Sequence, residues 1–173
     1  VALSELTLER EKLLHEVVLS IRQLADVRSC RKEFTDHPEY LPPILQVFIP
    51  DNPSIMADLL AISTTFASCP EYSTYVITSI ESIRRGNNKG WGILCQYITN
   101  AEKKLASADP KQYEKALKEY EREIKAFVAF LSTVIKATTD PKQYVTLLLR
   151  LHKNQVLSKL SDIKEQKTNA ESI

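Results

Sequence analysis

Glycine is nearly missing from this chain: three in 173 residues, against a usual share of about 7%. Strand-rich folds spend glycine on tight turns and bulges, so the scarcity speaks against a sandwich or barrel. It favours helices joined by short corners, which the eight prolines can mark. Long apolar runs are missing too, and nothing approaches the roughly 20 residues that cross a bilayer. Cysteine is sparse: Cys30, Cys69 and Cys95 are odd in number and far apart, with no CxxC pair. That excludes a disulfide frame or a zinc ribbon and fits reduced thiols in the cytoplasm or nucleus. The opening "VALSELTLEREKLLHE" is too charged for a signal peptide.

Catalytic signatures are absent in the same way. His15, His37 and His152 belong to no HExxH and to no close Cys/His pair. There is no GxSxG, no P-loop and no acidic calcium loop. The chain nominates no catalytic residue, no metal ligand and no cofactor, and is expected not to be an enzyme.

What is present is helical periodicity. In "SELTLEREKLLHEVVLSIRQLADV" the apolar residues Leu6, Leu13, Leu14, Val17, Val18, Ile21 and Leu24 form one stripe at 3.6-residue spacing. Pro42 and Pro43 open a helix carrying Ile44, Leu45, Val47 and Phe48, since proline suits a first turn and breaks an interior. "DNPSIMADLLAISTTFAS" starts with Asp51 or Asn52 as cap and Pro53 behind it; its expected buried face is Ile55, Met56, Leu59, Leu60, Ile62 and Phe66. Another helix runs through "CPEYSTYVITSIESIRR". "WGILCQYITNAEKKLA" reads as one helix. In the next, Tyr113, Leu117, Tyr120, Ile124, Phe127, Leu131 and Val134 form a heptad seam. Ala116, Val128, Phe130 and Ile135 widen its stripe, and Glu119, Glu121 and Glu123 are expected on its outer face, paired with lysines. "DPKQY" occurs at 109–113 and again at 140–144, each time as a helix start, and a final helical pair follows.

Residues 1–88 carry a net charge of −4 and residues 89–173 one of +5. The sign changes inside "RRGNNKGWG", residues 84–92, which holds all three glycines. The segment fits neither GxxxxGK[ST] nor GxGxxG. It is expected to be a hinge, with Gly86 capping the helix before it.

Displacing the chain by 42 residues sets Leu24-Ala25 on Phe66-Ala67, Val17 and Val18 on Leu59 and Leu60, and Phe34 on Val76. That displacement lies within the roughly 40–47 residue period of armadillo and HEAT units, and residues 8–86 resemble such repeats. The resemblance implies an all-α fold: a short armadillo/HEAT-like superhelix over 1–86, a glycine hinge at 87–92, a helical bundle block over 93–168 and a frayed tail at 169–173. In many armadillo domains a Trp and an Asn one turn apart clamp an extended peptide. Here Cys95 stands four residues after Trp91, and Asn100 nine after it, so no ligand residues carry over. The chain starts and stops without terminal signals, as expected of a piece of a longer scaffold.

The expected function is a non-catalytic protein-interaction scaffold that binds a partner helix or extended peptide. Its expected contact residues are Tyr40, Gln46, Tyr72, Tyr75, Glu81, Arg84, Arg85 and Trp91. Tyrosine suits interfaces because it joins a large apolar body to one hydrogen-bonding end. Two rivals stand beside it. One is a nucleic-acid binder using Arg84, Arg85, Lys89, Lys103 and Lys104, with Trp91 stacking on a base. The other is a homodimer built on the Tyr113–Val134 seam.

Overall fold

The computed structural model describes residues 2–46 and 52–170. The fold is all-α apart from one tiny hairpin. In chain order it contains α1 (Ala2–Asp26), α2 (Arg28–Asp36), a 3-10 turn (Pro38–Tyr40), α3 (Leu41–Leu45), α4 (Pro53–Ala67) and α5 (Pro70–Ser82). The hairpin strands β1 (Arg84–Arg85) and β2 (Asn88–Lys89) come next, then α6 (Trp91–Ala106), α7 (Tyr113–Ala137), α8 (Pro141–Lys153) and α9 (Val156–Ala170). Val47, Phe48, Asp51 and residues 171–173 of the expected tail lie outside the described residues.

α4 is the centre of the molecule. Asn52 caps it, its side-chain oxygen accepting the Ile55 N–H at 3.3 Å, and Pro53 occupies the first turn. The expected face of Ile55, Met56, Leu59, Leu60, Ile62 and Phe66 is fully buried, as is Ala67 on another side, while Ala57 keeps 3% of its surface exposed. Each large apolar side chain sealed in this way contributes about 1.5–3 kcal/mol. Ser63, Thr64 and Thr65 satisfy their hydroxyls by donating to the carbonyls four residues back, so polar groups enter this apolar setting without orphaned donors. α1 lies along one side of α4 and α7 along another; α5 and α6 also touch it, and α9 packs on α6.

One hydrophobic cluster runs from Val18 to Val156 and includes side chains from both sides of the glycine stretch. The second half of the α7 heptad seam is spent inside the chain: Phe127, Leu131 and Val134 are buried, and α7 packs on α4 and α6. The seam's first half is less enclosed: Tyr113 is 46% exposed, and Leu117, Tyr120 and Ile124 are half-buried. Glu123 corrects another expectation, being buried rather than on the outer face. It lies seven residues from both Ala116 and Phe130, which are buried too, so the stripe widens along the flank that carries it.

The 42-residue displacement is matched on one helix face only. Val18 and Leu60 are both buried, as are Ala25 and Ala67, but Leu24 is 47% exposed where Phe66 is sealed. The physical reason is position: α4 has neighbours on several sides, while α1 meets mainly α4 and α2.

The segment expected as a hinge, 87–92, is shared between β2 and the start of α6. Arg84 pairs with Lys89 and Arg85 with Asn88 around a two-residue tip. α5 ends at Ser82 with Ile83 extended, so Gly86 does not cap it. Gly86 instead takes the first tip position at φ +56, as primed hairpin turns require.

Candidate functional site

α4 contains a single charged residue, Asp58, and it is 1% exposed. A carboxylate removed from water needs compensation, and two guanidiniums and an imidazole converge on it. Arg22 of α1 donates to Oδ1 at 2.5 Å. Arg122 of α7 stands 3.7 Å from the same oxygen, and His15 of α1 stands 3.7 Å from Oδ2. Asp58 thus ties together the three central helices, and both guanidiniums keep one side toward solvent, being 38% and 54% exposed.

Above this anchor the surface opens into a groove of about 560 Å³. Its floor on α4 is Ala57, Ala61 and Thr64, spaced at helical intervals. One wall carries Arg22; the other is α7, with Lys118, Glu121, Arg122 and Lys125 toward one end and Ala126 and Ala129 toward the other. Among the described residues neither Lys118 nor Lys125 makes an ion pair. Arg22, Lys118, Arg122 and Lys125 therefore face only Glu121 and the buried Asp58 as counter-charges. Small residues leave room, and unbalanced cations leave attraction for an anion.

Behind the groove, between α6 and α7, lies a second polar group of residues. Glu123 has one carboxylate oxygen and Tyr97 a hydroxyl without a hydrogen-bond partner, both sealed from water. Burial pushes the Glu123 carboxyl up to about 7; Glu119 adds to the rise, and Lys104 and Arg122 oppose it. Burial likewise raises the Tyr97 phenol, with Glu123 and Asp58 adding and Arg122 opposing. Lys159 of α9 holds Glu102 of α6 at 2.6 Å. Among the described residues no group of three His, Cys, Asp or Glu could hold a metal ion, and no helix is long and apolar enough to cross a membrane.

The residues expected at a partner surface are dispersed. Tyr40 is exposed and stacks on His37 at 5.1 Å; Gln46 is exposed at the end of α3, which packs on α5. Tyr72 and Tyr75 are half-buried on α5, Tyr75 against the core. Arg84 and Arg85 are exposed on the hairpin. Glu81 is an internal tie, accepting from the Trp91 indole at 3.1 Å and from Arg150 at 2.5 Å. Trp91 itself is 2% exposed and stacks on Phe130. It faces neither a protein partner nor a base, because its ring fills the gap between α6 and α7.

The basic residues of 84–104 are likewise separated. The hairpin cations stand at one end of α6 and Lys103 and Lys104 at the other, about 18 Å along the helix, and Lys104 is neutralised by Glu119 at 2.6 Å. The sequence reading missed Asp58, Arg22, Lys118, Arg122 and Lys125. A lone acid inside the apolar run of α4 was the signal that could have found Asp58. Compared with protein-family models, characterised proteins and solved structures, the chain matches none.

Proposed function

We propose that the protein is a non-catalytic binding scaffold that receives a segment of another protein in the groove between α1, α4 and α7. One observation carries this reading: two solvent-facing arginines, Arg22 hydrogen-bonded to a buried carboxylate and Arg122 3.7 Å from it, stand beside a floor of small residues. Preorganised guanidiniums lose little freedom on binding, and desolvated arginine is among the residues that anchor interfaces. The armadillo/HEAT-like character of residues 8–86 belongs to the same proposal, supported by the matched burial of Val18 with Leu60 and Ala25 with Ala67. The unlike settings of Leu24 and Phe66 count against strict equivalence, so the binding reading rests on the groove and not on the repeat. A cytoplasmic or nuclear setting is also part of it, supported by three free cysteines.

The test compares the proteins retained by the immobilised chain with those retained by Ala61→Trp, which fills the floor. Circular dichroism would show that the variant is folded. Loss of a defined protein from the variant is the expected result; identical retention by both would sink the reading.

A further inference from the structure

The groove has a composition that selects its occupant. An extended peptide needs side-chain amides or a free sheet edge to take up its backbone N–H and C=O groups. The lining contains no Asn or Gln and no strand, and α4 and α7 use their own backbone groups in helical bonds. A helix brings its backbone already satisfied. Ala57, Ala61 and Thr64 form a shallow ridge on α4, and the α7 wall from Lys118 to Ala129 is about 16 Å long, enough to lie against three turns of a docked helix. A nucleic acid would find no aromatic side chain there to stack on, and Glu121 among the cations opposes a continuous run of phosphates.

Charge then sets the helix's composition and direction. The cations gather at the Lys118–Lys125 end with Arg22, and the opposite end is alanine. Arg22 and Arg122 already share one carboxylate oxygen of Asp58, which leaves guanidinium N–H groups pointing away from it.

We propose that the groove binds an acidic amphipathic helix of a partner protein. Two or three Asp or Glu side chains, spaced three or four residues apart, face Arg22, Lys118, Arg122 and Lys125, and small apolar residues of the same helix lie over Ala126 and Ala129. The inference rests on the groove being the docking site and adds the chemistry of what docks.

Selection from a displayed library of random 16-residue peptides against the whole chain tests it. The expected binders are enriched in Asp and Glu at i, i+3 or i+4 spacing, gain helicity when bound, and weaken at least tenfold on the Lys118→Glu/Lys125→Glu variant. Raising salt from 50 to 300 mM weakens them as well. Both lysines are exposed on α7, so the double variant keeps its core, and circular dichroism confirms it. Binders that are lost on Ala61→Trp but are neutral or basic would overturn the acidic-helix inference while leaving the groove as the docking site. Binders indifferent to Ala61→Trp and to the lysine substitutions would overturn both. A 20-nucleotide single strand that binds more tightly than every selected peptide, and competes with them, would overturn the inference in favour of nucleic acid.

Discussion

Asp58 and Glu123 are both carboxylates shut away from water, and their neighbours treat them differently. Asp58 has a guanidinium at 2.5 Å, so its charge is compensated only while Arg22 is present. Arg22→Met would leave a buried anion with partners no nearer than 3.7 Å, a loss of about 3 kcal/mol. Asp58→Asn frees two arginines that can turn to solvent and should cost only about 1 kcal/mol. Urea denaturation of the two variants checks the order; equal losses would mean that Asp58 is not held as an ion. Glu123 is held toward its neutral form, its carboxyl raised from 4.5 to about 7. Below pH 4.5 it is protonated in both folded and unfolded chains and exacts no penalty. Between pH 4.5 and 7 the unfolded chain releases its proton first, so stability falls as pH rises, by about 3 kcal/mol for this group, and is then flat. Glu123→Gln should abolish that decline and raise stability at pH 8, seen by comparing urea midpoints at pH 5 and pH 8.

Two neighbouring glycines, Gly90 and Gly92, show what an element demands of its ends. Gly90 sits at φ +54, and a Cβ there would come within 3.2 Å of the Glu81 Cα. Gly90→Ala should cost about 1–3 kcal/mol. Gly92 lies inside α6, where an added Cβ meets nothing within 4 Å, so Gly92→Ala should stabilise by up to about 1 kcal/mol. Thermal melts of the pair check both signs. Helix identity was legible where an apolar stripe was long, as in α4, which Asn52 also caps, and in α6 and the buried half of α7, which have no side-chain cap. The repeated "DPKQY" shows the limit. Both Asp109 and Asp140 accept the N–H three residues on, yet α8 starts directly at Pro141 while α7 starts only at Tyr113. The hairpin escaped reading because two-residue strands carry no periodicity. The groove escaped because it joins residues 22, 61 and 122, which no local pattern links, and the outward reading of Glu123 failed because its depth is decided by packing against α6 and not by its charge.

At the scale of the whole molecule, the first five helices and the last four share one core. α4 meets α7 directly, and Phe66 and Phe130 belong to the same cluster as Trp91. A fragment ending at Gly86 would expose the α4 face that α7 covers, and is expected to melt without a cooperative transition, whereas the whole chain unfolds in one step. Calorimetry of the two checks this; a sharp transition in the fragment would show two independent units. The hairpin stands apart from that shared interior. All of residues 84–89 are exposed, and a side chain added at Gly86 would meet nothing within 4 Å. The tip is therefore a socket for grafting: a reporter epitope spliced after Gly86 would attach the chain to a support or a dye while both the packed interior and the docking face stay as they are.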